Sequence, residues 1–199
     1  MGLIKLFDKL SMHGIGRPGI SFGGMQLPIV GLATDREDIA SFEATTGWTV
    51  LGNDTTTLAT STNHITGALA LSFAKVDGLA NTKLAGIQKT ITSVDLSRFS
   101  SHDYISTSTY ISDVTNTDYV FVRLGTDSSN YTEWQKDEPT VGWDDHQIAL
   151  SAGATSSTGN GWDQSAVTYV AVGVAFDAEG NALAGLIFDH LNMHTHVGG

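Results

Sequence analysis

Cysteine is absent from this chain, proline occurs three times, and lysine and arginine together number ten. Without cysteine there is neither a disulfide framework nor a thiolate-ligated zinc or iron–sulfur centre. Three prolines beside 22 glycines suit a β protein whose many turns are built on glycine. Ten basic residues against 21 acidic ones leave a formal charge of −11. Such a chain forgoes the counterion release that drives nucleic-acid binding. Its acidic residues are scattered, the pattern of a solvated β surface rather than an acidic tail. No apolar run approaches the ~18 residues of a membrane span. No helical pattern of roughly 10–15 residues separates the candidate strands, which argues against an α/β fold.

What is present reads as β-structure around one hairpin. From Tyr119 to Leu124 the side chains alternate, with Tyr119, Phe121 and Arg123 on one face and Val120, Val122 and Leu124 on the other. Gly125 to Asn130 supplies turn chemistry, and Tyr131, Glu133 and Trp134 begin the return strand. Upstream, Phe42-Glu43, Gly47 to Leu51, Thr55 to Thr62, Leu69 to Phe73, Ile87 to Leu96 and His102 to Asp113 read as strands, with a loop from Asn81 to Gly86. Downstream, Gln147 to Leu150, Val167 to Phe176 and Leu186 to Leu191 complete about ten strands of an antiparallel sandwich or jelly roll. Hydrophobic residues make up 41% of the 199, enough for one core. Residues 1–38 differ: Leu3, Ile4, Leu6, Phe7 and Leu10 have the spacing for one amphipathic helical turn or two ahead of Gly14-Ile-Gly-Arg-Pro-Gly19, a stretch too poor in side chains to build a core. They fit neither a signal peptide nor a myristoylation site, Leu6 standing where Ser or Thr is required. We expect an arm over 1–38, folded back on its own domain or reaching a neighbour, a sandwich over 39–192 and a tail over 193–199.

The hairpin spelling RLGTDSSNYTEW resembles carbohydrate-binding-module jelly rolls, especially those embedded in bacteriophage structural proteins. Phe42-Glu43, Gly47-Trp48, Gly67 to Phe73, Val94-Asp-Leu96, Gly142-Trp143, Val167 to Val170 and Ile187-Phe-Asp189 extend the likeness in order along the chain. The resemblance implies an all-β jelly-roll sandwich. It also implies a non-enzymatic phage structural protein: a capsid decoration (cement) protein on the outer surface of the head. Its partners would be the major capsid protein and copies of itself, with a homotrimer expected. A short chain with an adhesive arm suits a lattice, whereas a free-standing binding module is expected to carry a linker or a catalytic domain. A tail or fibre module and a glycan-binding module are the alternatives.

Candidate chemistry is sparse. Glu133, Asp137 and Glu138 are spaced over a turn, and Asp144-Asp145-His146 has no nucleophile beside it, so catalysis is not expected. His190, His194 and His196 are candidate metal ligands, with exposed tail histidines the plainer reading. The resemblance places Glu43 and Asp189 where related modules hold a structural calcium, and carboxylate oxygens are what that ion takes. Hydrogen-bonded edge carboxylates are the alternative. An aromatic ring stacks on the C–H face of a pyranose, which makes Trp143 and Trp162, expected in loops beside Asp144 and Asn160, a candidate glycan platform. Trp48 and Trp134 are expected in the core. Sequons at Asn53 and Asn130 match glycosylation motifs, but nothing else suggests a secretory route.

Overall fold

A computed structural model describes residues 20–22, 25–27, 35–52, 54–76, 83–152 and 154–195. The chain divides into two units, Met1–Ala33 and Thr34–Gly199. In the first, β1 (Ile20–Phe22) and β2 (Met25–Leu27) pair as a small antiparallel hairpin. The rest of the expected arm up to residue 34 lies outside the described residues, so whether it folds back or reaches a neighbour does too.

The second unit is a sandwich of two antiparallel sheets. Its strands are β3 (Arg36–Ala40), β4 (Trp48–Leu51), β5 (Thr55–Ser61), β6 (Ala70–Lys75), β7 (Leu84–Val94) and β8 (Tyr104–Ile111). They continue with β9 (Thr117–Asp127), β10 (Asn130–Asp137), β11 (Gly142–Ala149), β12 (Ser156–Thr158), β13 (Val167–Phe176) and β14 (Leu183–His194). The order in one sheet is β12-β10-β9-β13-β7-β4; in the other it is β11-β8-β14-β6-β5, with β3 taking the later edge of β14. This is the expected jelly-roll class.

Several boundaries differ from expectation. Residues 36–38, expected in the arm, are strand residues that pair with Asn192, Met193 and His194, so the sandwich begins earlier and ends later than 39–192. The strand breaks at Ala40, and Phe42 and Glu43 lie beyond it. Leu84 to Gly86, expected in a loop, open β7. The glycine there is a packing residue and not a turn signal. A Cβ on Gly86 would meet the Val172 carbonyl at 2.6 Å and the Phe121 ring tip at 3.1 Å, and one on Gly173 the Ala85 carbonyl at 2.2 Å and the same ring tip at 2.5 Å. Both are bare because the neighbouring backbone and that ring close over them.

The alternation in β9 holds. Val120, Val122 and Leu124 enter the core with Leu71, Ile87, Ile105, Val172 and Phe188, all fully buried. Trp48 and Trp134 are core residues as expected, 5% and 2% exposed. On the other face of β9, the Arg123 guanidinium lies over the rings of Phe121 and Tyr131 and donates to Glu133 Oε2 at 2.6 Å. That face is closed by its own side chains.

Candidate functional site

The opposite sheet presents a different outer face. In β8, Ile105, Thr107, Thr109 and Ile111 point inward, so Tyr104, Ser106, Ser108 and Tyr110 point out. Strand register lines these up in rows across β11, β8 and β14. Trp143, Tyr110 and Ile187 form one row, Asp145, Ser108 and Asp189 the next, then Gln147, Ser106 and Asn192, then Ala149, Tyr104 and His194. Each end of this face carries a ring pair. Trp143 meets Tyr110 edge-on with centroids 5.8 Å apart, and His194 stacks on Tyr104 at 5.8 Å. Six residue steps along β8 separate the two tyrosines, about 20 Å at the rise of an extended strand.

Between the ring pairs the floor is small and the walls are polar. A β-bulge between Asp189 and Leu191 pushes His190 out of register, with φ at +29°. Its Nε2 lies 3.5 Å from Asp145 Oδ1, which also accepts from Ser106 Oγ at 3.2 Å and Ser108 Oγ at 3.1 Å. The His190 contact, then the Ser108 hydroxyl, hold the Asp145 carboxyl down at about 2 against its partial burial. Nearly half of that side chain, 48%, remains exposed. His190 Nδ1 is buried with no hydrogen-bond partner. Burial lowers the His194 imidazole, whose Nδ1 lies 3.2 Å from Asn192 Oδ1. Asp145, Gln147, His190, Asn192, His194 and Arg36 line a pocket of about 300 Å³ on this face. It is an anisotropic, half-open polar surface with rings at its ends, and it can hold an elongated ligand rich in hydroxyls.

The structure separates the two tryptophans expected to act together. Trp143 is a β11 residue, not a loop residue; it is partly exposed and donates from Nε1 to Asn63 Oδ1 at 3.0 Å. Trp162 does lie in a loop, but its ring stands at 82° to Trp134, centroids 4.8 Å apart, packed on the core. Asp144 alternates away from Trp143 and accepts from Thr140. These residues therefore form no single coplanar platform.

Glu43 and Asp189 are brought together around one turn. Asp189 Oδ2 accepts from the amides of Ile65 and Thr66 at 2.7 Å; its Oδ1 accepts from Thr66 Oγ1 at 3.0 Å and the His190 amide at 2.8 Å. Glu43 accepts from the amides of Ala68 and Leu69, at 3.0 and 2.9 Å to Oε2. Its carboxylate fills the space that a Cβ on Gly67, at φ +67°, would need. Calcium needs oxygens with free lone pairs. These oxygens face N–H and O–H donors whose positive ends would oppose a cation, so the donor set fits a metal-free clamp. Among the described residues, no three His, Cys, Asp or Glu side chains gather as metal ligands; His196 lies outside them.

The acidic candidates for catalysis are also dispersed. Alternation sends Asp145 outward and His146 inward, where burial lowers its imidazole and Thr109 Oγ1 meets Nε2 at 2.5 Å. Glu133 is held by Arg123 on the other sheet. Tyr104, Tyr110, Gln147 and Asn192 are site residues that no motif in the sequence marks. Alternation within β8 sets both tyrosines outward, but only strand pairing adds their neighbours.

No family model and no curated protein matches this sequence. Known structures do. A family 11 carbohydrate-binding module from Clostridium thermocellum, in complex with a β-1,3-1,4-mixed-linked tetrasaccharide, superposes with a TM-score of 0.57 at 10% identity; the match covers 82% of this chain and 98% of that one. The family 11 module of a cellulosomal cellulase of the same organism gives 0.56 at 11% identity, covering 81% and 95%. A family 30 module from C. thermocellum gives 0.51 at 14%, covering 76% and 91%. The fold is thus that of the carbohydrate-binding-module sandwiches. Nothing in these comparisons links the chain to bacteriophage proteins.

Proposed function

We propose that this protein is a non-enzymatic glycan-binding module whose ligand lies along the outer face of β11, β8 and β14. One observation carries the reading: a polar strand face, with Asp145, His190, Gln147 and Asn192 between ring pairs at Trp143–Tyr110 and Tyr104–His194. Rings at the ends stack on sugar C–H faces, and the fixed polar groups between them read hydroxyls. The neighbouring modules of the same fold support it, since one of them is seen with a mixed-linked tetrasaccharide. On this reading Glu43 and Asp189 serve as a hydrogen-bonded clamp on the turn at residues 65–69.

Attachment to a phage head, with the major capsid protein as partner and a homotrimer as the assembly, gains no support from these neighbours, and the sheet-face reading does not require it. The test is calorimetry or affinity electrophoresis against soluble mixed-linked β-glucan, xylan and mannan. We expect saturable binding to at least one, weakened tenfold or more, about 1.4 kcal/mol, in Trp143→Ala. Because Trp143 is partly exposed, the melting temperature of this variant should stay close to that of the parent. Absence of binding to all three, or binding untouched by Trp143→Ala, would overturn the reading.

A further inference from the structure

We propose that the end of the sandwich beside β10 and β12 is a second ligand site, one that takes a single uncharged sugar ring and works independently of the β11-β8-β14 face. An open cavity of about 570 Å³ lies there, larger than the pocket on the sheet face. Small-molecule sites commonly fall in this size range. Trp134 and Trp162 stand perpendicular and form a corner in its wall, with Phe99 and Leu150 continuing the apolar side. Thr132 and Ser157, their hydroxyls 3.1 Å apart, supply the polar side with the exposed Asn160.

The composition of the wall decides what it can accept. None of its lining residues is acidic or basic, in a chain that carries a formal charge of −11. The sheet-face pocket, in contrast, contains Arg36, Asp145, His190 and His194. A charged ligand entering the end cavity would lose hydration with no countercharge to replace it. A neutral pyranose can set its C–H face on an indole and turn its hydroxyls to Thr132, Ser157 and Asn160. Trp134 Nε1 is itself buried and makes no hydrogen bond among the described residues, so the ligand's polar contacts fall to Thr132, Ser157 and Asn160.

The four tryptophans give four indole N–H signals in a nitrogen-15 correlation spectrum, which report on each site separately. The full chain would be titrated in turn with the methyl glycosides of glucose, galactose, mannose and xylose, and with glucuronate. We expect at least one neutral glycoside to move the Trp134 and Trp162 signals saturably while Trp143 stays in place. The shift should be unchanged between about pH 5 and 8, the histidine range, and should persist in Trp143→Ala. Ala154→Phe, which fills the mouth from an exposed position in the wall, should abolish it without lowering the melting temperature. The proposal fails if no neutral glycoside moves the pair at concentrations that would fill a millimolar site. It fails equally if glucuronate moves them as strongly, or if the response disappears in Trp143→Ala. That last variant removes only the sheet-face site, so the two readings stand or fall separately.

Discussion

At the scale of single residues, Asp145 and Asp189 show how one side-chain type serves two ends. Asp189 is 2% exposed and holds the turn at residues 65–66 through three donors, with the His190 amide as a fourth. Asp189→Ala should lower stability by about 1–3 kcal/mol, because the part-buried amides of Ile65 and Thr66 lose their charged acceptor; urea unfolding measures this. Adding calcium or a chelator should leave the parent's midpoint unchanged, since N–H groups already occupy the carboxylates. A chelator-induced drop would instead restore the calcium site. Asp145 has its carboxyl depressed to about 2, so its contribution to folding is complete above its unfolded value of about 3.9 and is lost as the pH falls toward 2. Melting curves between those limits should therefore fall more steeply for the parent than for Asp145→Asn. The side chain is half exposed, and the difference should be modest.

At the scale of elements, β3 is the informative strand. It covers the edge of β14 that β6 leaves open, and Arg98 ties it down through Asp35 at 3.1 Å and Glu37 at 2.6 Å. A chain starting at Thr34 keeps all of this, and we expect it to melt within a few degrees of the full-length protein. A chain starting at Ser41 exposes the β14 backbone next to Asn192 and His194 and should lose stability and glycan binding together. Equal melting of the two truncations would show that β3 is dispensable. The arm boundary is hard to read at this seam because REDIA contains three charges and little periodicity. The strand exists because β14 offers it a partner, not because its residues prefer extended backbone.

For the whole molecule, charge separates ligand classes. With a formal charge of −11, the protein repels polyanions at long range, whereas a neutral glycan gains or loses little from that field. Binding to a neutral polysaccharide should therefore change little between low and physiological salt. An anionic one, such as polygalacturonate, should bind poorly at low salt. Strong, salt-sensitive capture of the polyanion would move the site to Arg36 and the histidines and away from the rings.

Much of the sandwich is legible in the order of the residues. Period-two alternation places Val120, Val122 and Leu124 inward and Arg123 outward, and the burial of Trp48 and Trp134 follows from the same patterning. Such patterns are local, because a strand shows its two faces in its own residues. The site is not local. Asp145, Ser108 and Asp189 share a row although dozens of residues separate them in the chain, and Trp143 and Trp162 belong to different sheets' surroundings despite similar glycine-rich contexts. Which strand lies beside which, in what register and with a bulge at His190, depends on the packing of the whole sandwich. The sequence alone determined that this chain would fold into two half-buried sheets; tertiary structure alone decided which of their outward side chains would meet.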